Sequence, residues 1–163
     1  MGSVDAVLRP ATEADLEATA RIWHEGWWDA HPFLADRLGP SRTRESFVTR
    51  MAPRLRTTTL AEVAGRVVGL AVVIGDELEQ LYVDRGARGT GVAQALIADA
   101  ERRVAAAGHA VIWLAVATEN HVARRFYAKC GWSDAGAFAY DAESLDGPVP
   151  VPCHRYERRL AAD

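Results

Sequence analysis

The chain has 163 residues, 49% hydrophobic and 25% charged, a size and composition that let one compact unit bury a core without metal or disulfide staples. A formal net charge of −3 argues against a general nucleic-acid binder, and Cys130 and Cys153 lack the spacing of a metal site, so no metal is expected. Residues 1–5 lack the pattern of a secretory leader, and no apolar run approaches the roughly 18 residues that span a bilayer, so the expectation is a cytoplasmic protein with no membrane partner.

Val7-Leu8-Arg9 reads as a short strand ended by Pro10. Thr12, with Asp15 three residues on, marks a helix start, and Leu16, Ala20, Trp23 and Trp27 follow at helical spacing. His31 to Pro40 reads as a loop, after which Ser41 is expected to cap a helix with Phe47, Val48, Met51 and Leu55 on one face. A hairpin is expected from Thr57 to Val63 and Arg66 to Ile74 around Ala64-Gly65, then a strand from Glu77 to Val83. A glycine-bearing loop, Asp84 to Gly91, opens a helix from Val92 to Ala107 that ends at Gly108. Val111 to Val116 is a continuous apolar run, read as a strand covered on both faces. Asn120 starts another helix, with Val122, Ala123, Phe126, Tyr127 and Cys130 inward. Trp132 to Phe138 and Cys153 to Leu160 read as the last strands, with a Pro/Gly-rich connection from Asp141 to Pro152. The order βααβββαβαββ over about residues 7–160 describes one α/β domain, a mixed sheet flanked by helices. The pairs Arg102-Arg103, Arg124-Arg125 and Arg158-Arg159 read as solvated faces.

The most informative segment is the loop. A helix N-terminus presents unpaired N–H groups and a partial positive charge, and glycines at 89 and 91 let an anion approach the backbone. Arg88 adds a charge-assisted donor. A plain tight connection is the bland alternative. The Walker A pattern fails because Val92-Ala93 follows Gly91, and the dinucleotide pattern fails because Gln94 stands where its last small residue belongs.

Here the chain resembles the GCN5-related N-acetyltransferase (GNAT) family. Arg88, Gly91 and Ala93 match its Gln/Arg-x-x-Gly-x-Gly/Ala motif, Leu81-Tyr82-Val83 looks like its fourth strand, and Asn120 and Tyr127 match a later Asn and Tyr. Ala93 replaces the commoner glycine, and Asp84-Arg85 lacks the frequent Asp-Pro. The resemblance implies acetyl-CoA as cofactor, its pyrophosphate held by amides of Gly89, Thr90, Gly91, Val92 and Ala93. Its pantetheine would pair with Leu81 to Val83 where strands four and five splay apart, with Asn120 bonding the arm and Tyr127 near the sulfur.

Direct transfer to an amine needs a base, an oxyanion donor such as a backbone N–H near Val83, and an acid for the leaving thiolate, a role that suits Tyr127. Glu79 is the expected base, with Glu77 two residues earlier on the same face. Glu25, Asp29 and His31 on or after the first helix are candidates beside the acceptor, and Trp28 is expected at the pocket rim because three tryptophans within six positions cannot share one helix face. The 141–152 connection would close the other side. The acceptor is a small-molecule or peptide amine, and monomer and homodimer both stay open. A non-catalytic CoA-binding sensor or scaffold of the same fold is the competing reading.

Overall fold

The structure, a computed structural model, describes residues 4–161; the first three residues, on which part of the leader reading rests, lie outside them. In chain order the elements are β1 Val7–Pro10, α1 Leu16–Ala30, α2 Ala35–Leu38, α3 Arg44–Met51, β2 Thr58–Val63, β3 Arg66–Ile74, β4 Glu77–Val83, α4 Val92–Ala106, β5 Val111–Ala117, α5 His121–Lys129, β6 Ser133–Ala142 and β7 Val149–Arg159. Apart from the one-turn α2, this is the order the sequence predicts. The seven strands form one sheet, β1-β2-β3-β4-β5-β7-β6, antiparallel throughout except where β4 meets β5.

Alternation along the strands divides the apolar residues between two layers. Ala61, Ala71 and Val73 point toward α4 and α5, where Val92, Leu96, Ala100, Val104 and Tyr127 complete a core. Leu60, Leu70 and Val72 point the other way, under Trp23 and Trp27 of α1, Leu38 of α2, and Phe47 and Met51 of α3. Gly69 of β3 marks the closest approach of α4: a Cβ there would lie 3.0 Å from Leu96 and 3.1 Å from Val92.

The entry to α1 is built as its sequence suggests. Thr12 N donates to Asp15 Oδ2 at 2.8 Å, and Arg9 grips both carboxylate oxygens of Asp15 at 2.8 Å while donating to Glu62 of β2. Arg9's hydrogen bonds draw the Asp15 pKa down to about 2, the larger effect, against the opposing pull of burial. The Ala64-Gly65 turn has φ of +51° and +77°, the double left-handed geometry that matches hairpin twist.

Several expectations are corrected. His31 to Pro40 is a chain of short helical turns around α2. Thr43 caps α3, accepting from Ser46 N at 3.1 Å, whereas the Ser41 hydroxyl is buried and accepts from Leu145 N at 2.9 Å. Val122 is 72% exposed because Asn120 starts α5 with that face outward. The 141–152 connection is a loop only over residues 143–148; on either side β6 and β7 run on as a long hairpin beyond the end of β5. Pro150 and Pro152 are tolerated there because their missing N–H groups face away from β6; Pro152 O instead accepts from Thr118 N at 3.0 Å. One arginine of each pair is a clamp, not a solvated charge: Arg103 donates to Thr59 Oγ1 and Thr57 O at 2.9 Å, Arg124 to Thr118 O at 3.0 Å, and Arg158 to Cys130 O. No helix among the described residues is long and apolar enough to cross a membrane.

Candidate active site

The strand-to-helix loop forms an open cradle of amides. Gly89 and Gly91 adopt φ of +76° and +90°, and a Cβ at either would meet nothing within 4 Å. Thr90 folds its hydroxyl onto Ala87 O, and Ala95 N takes Gly91 O at 3.1 Å as the first bond of α4. The N–H groups of residues 89–94 find no acceptor among the described residues. Arg88, by contrast, is occupied: its Nε donates to Val83 O at 3.1 Å and its Nη2 to Asp29 Oδ2 at 3.0 Å. Arg85 binds the same carboxylate, and these hydrogen bonds, Arg85's foremost, draw the Asp29 pKa down to about 2. Asp29 therefore ties the end of α1 to the loop and is not free to act as a base.

Beside this cradle the sheet is parted. β4 and β5 pair only at Glu77 and Trp113. Asp84 N bonds Val68 O at 2.7 Å, so the alternation of an antiparallel ladder turns Tyr82's backbone toward β3 and the backbone of Leu81 and Val83 into the gap. Tyr82 contributes through its side chain instead. The run from Val111 to Val116 is consequently covered on one face: Ile112, Leu114 and Val116 are buried, while Trp113 and Ala115 face the side where the gap opens and are only partly covered.

A cavity of about 190 Å³ lies on that second side, between α1, α3, β4 and the β6–β7 hairpin. A bulge shapes it. Val72 pairs with Gln80 but Val73 with Leu78, so Glu79 is the extra residue of β4, and Glu77, Glu79, Gln80 and Tyr82 all border the same space. Glu79 is spent on Arg54 Nε at 2.5 Å. Glu77 is half-buried, met among the described residues only by the Tyr140 hydroxyl at 3.4 Å; burial, helped by the Glu79 charge, pushes its pKa up to about 7.

Other expected residues sort clearly. His31 lines the cavity; its Nδ1 lies 2.9 Å from Trp27 O, and since a carbonyl only accepts, Nδ1 carries the proton and Nε2 a lone pair. Burial keeps His31 neutral by pushing its pKa down. Glu25 pairs with Arg21 at 3.1 Å and does not reach the cavity. Trp28, 38% exposed, donates from Nε1 to Arg42 O at 2.9 Å and packs over Gly39, so the aromatic wall belongs to Trp23 and Trp27 instead. Asn120 caps α5, its Oδ1 accepting from Ala123 N at 3.2 Å, which leaves its amide N–H groups available. Tyr127 is buried, and burial first, then the Tyr82 phenol, hold its pKa far above the ordinary value. Sequence reasoning missed Arg42, Arg50 and Arg54, whose charges in an ordinary helical stretch look like solvent-facing positions.

This architecture is shared. A solved GNAT acetyltransferase of Rhodopseudomonas palustris superposes with a TM-score of 0.77 at 22% identity, covering 98% of this chain and 99% of that one. The structure of yncA from Salmonella typhimurium, solved with its cofactor acetyl-CoA, gives 0.68 at 16% identity, covering 98% and 96%. An uncharacterized N-acetyltransferase of Mycobacterium tuberculosis is 43% identical over 77 residues, 44% of this chain; the match spans about half, 49%, of that relative's length. The acetyltransferase (GNAT) family model matches residues 20–132, and the chain belongs to that family.

Proposed function

We propose that the protein is an acetyl-CoA-dependent N-acetyltransferase acting directly on an amine, with the described residues working as one acetyltransferase domain. The observation that carries this is the parted seam between β4 and β5, with unpaired amides at one end and a titratable carboxyl at the other. The cradle at residues 89–94 suits a pyrophosphate, and the backbone of Leu81 and Val83 suits an extended arm rich in amides, with Asn120 as a further donor. Acetyl-CoA bound there supplies an activated acetyl thioester.

The chain's own residues then handle charge and protons. An alkylammonium of pKa about 10.4 costs roughly 4.6 kcal/mol to deprotonate at pH 7, so a base is needed. Glu77 fits better than Glu79, because Glu79 is held in an ion pair by Arg54 while Glu77 titrates near neutrality. The Val83 N–H faces the gap as an oxyanion donor. Tyr127, kept protonated by burial, donates to the departing sulfur. The acceptor is read as a small-molecule or peptide amine, and the compartment as the cytoplasm, where the free thiols of Cys130 and Cys153 stay reduced.

Glu77→Gln is expected to lower kcat/KM by about a hundredfold or more in an amine-dependent thiol-release assay. The wild-type rate should rise with pH around a midpoint near 7, where the Glu77 carboxyl loses its proton, and the variant should lack that limb. Saturable CoA binding with no release by any amine would instead establish a sensor or scaffold.

A further inference from the structure

The cavity sets three guanidinium groups, Arg42, Arg50 and Arg54, beside the carboxylates of Glu77, Glu79, Asp141 and Glu143, and the arginine N–H donors are unevenly met. Arg42 is only 4% exposed; its Nη1 donates to the backbone oxygen of Glu143 at 2.7 Å, and among the described residues its buried Nε meets no partner and no carboxylate forms an ion pair with it. Arg50 stacks over Trp23 at 4.6 Å and Phe47 at 5.0 Å, and its buried Nε and Nη1 find no hydrogen-bond acceptor among the described residues. Among the described residues its one carboxylate neighbour is Glu143, whose Oε2 forms an ion pair with that Nε at 3.4 Å; Glu143 is 65% exposed and also serves Arg54 at 3.9 Å. Burial pushes Arg50 down to about 10, with Arg42's charge second.

Buried guanidinium N–H groups left without an acceptor are costly, and the cost falls when an anion completes them. A guanidinium fork matches a planar or tetrahedral oxyanion. Across the same cavity stands Glu77, the group that would receive the amine. At about 190 Å³ the space falls below the roughly 300 Å³ at which pockets for drug-sized ligands begin.

We propose that the acceptor is a compact amine that also carries an oxyanion, its amine directed to Glu77 and its carboxylate or phosphonate held by Arg50 and Arg42. This rests on the acetyltransferase reading above and names its substrate class. The arginines bind the end of the acceptor that does not react, so they act on affinity and selectivity and leave the chemical step to Glu77 and Tyr127.

The test uses the common amino acids, each beside its primary amide, and 2-aminoethylphosphonate beside propylamine. Amino acids or the phosphonate should exceed their uncharged counterparts in kcat/KM by about ten- to a hundredfold, the worth of one hydrogen bond to a charged group. Which of the two anionic classes leads identifies the oxyanion. Arg50→Met should raise the KM of the anionic acceptor by a similar factor with kcat and the acetyl-CoA KM little changed, and should abolish the preference over the amide; Arg50→Lys should restore part of it. Calorimetric binding of the same amines, with circular dichroism to verify folding, separates the two readings. Turnover with no preference for the anion, or equal loss on acid and amide in Arg50→Met, overturns this proposal and leaves the acetyltransferase. Arg50-dependent binding without turnover does the reverse, and neither binding nor turnover removes both.

Discussion

Burial keeps the Tyr127 phenol protonated across the physiological range, the state that the proposed proton donor needs. Tyr127→Phe keeps the ring that packs near Trp132 and Tyr156 but removes that donor. It should lower kcat by about a hundredfold or more while leaving the melting temperature and the acetyl-CoA KM near wild type. Steady-state kinetics beside a thermal melt read both, and an unchanged kcat would take the acid role away from this residue. The comparison of Glu77 and Glu79 turns on equally local facts. Both are acidic positions on one strand, and their spacing places them together; nothing in the sequence says which will meet Arg54, 25 positions upstream of Glu79. The ion pair and the bulge separate a carboxylate held by an arginine from one that has none.

Among the elements, the start of α4 makes the sharpest demand on its sequence. Gly91 and Gly65 both have positive φ, +90° and +77°, and both are open around a built Cβ. Valine at either position should cost about 1–2 kcal/mol of stability through left-handed strain. Only Gly91→Val should also weaken CoA binding, by about tenfold or more, because only there does the side chain enter a cradle of free amides. Titration calorimetry on the two variants separates the effects, and equal CoA affinity in both would remove the cradle from the site. This element was legible because glycines flanking a helix start carry their own conformational signal. The β6–β7 hairpin was not: its prolines read as a loop, since their tolerance depends on a strand side left unpaired only after β5 has ended.

At the scale of the whole molecule, one ionic cluster ties three elements: Arg9 of β1 bonds Asp15 at the entry of α1 and Glu62 of β2. Asp15→Ala should cost about 2 kcal/mol near neutral pH, the sum of a cap and a charge-assisted bond. The Asp15 pKa is lowered in the folded state, so its contribution is complete above the ordinary carboxylate value of about 4 and disappears as pH falls through about 2. Urea titrations at neutral pH and near that lower limit should show the gap between wild type and variant closing; a gap independent of pH would place the loss in packing instead. The sequence by itself determined the alternation of elements, the mixed sheet flanked by helices and the glycine-bearing turn that opens α4, because each rests on short-range periodicity or glycine conformation. Tertiary structure alone decided which carboxylate is free, which tryptophans face the cavity, and that Arg42, Arg50 and Arg54 converge on it. Desolvation and charge pairing arise from chain segments distant in sequence, and no local pattern encodes the neighbours that folding brings together.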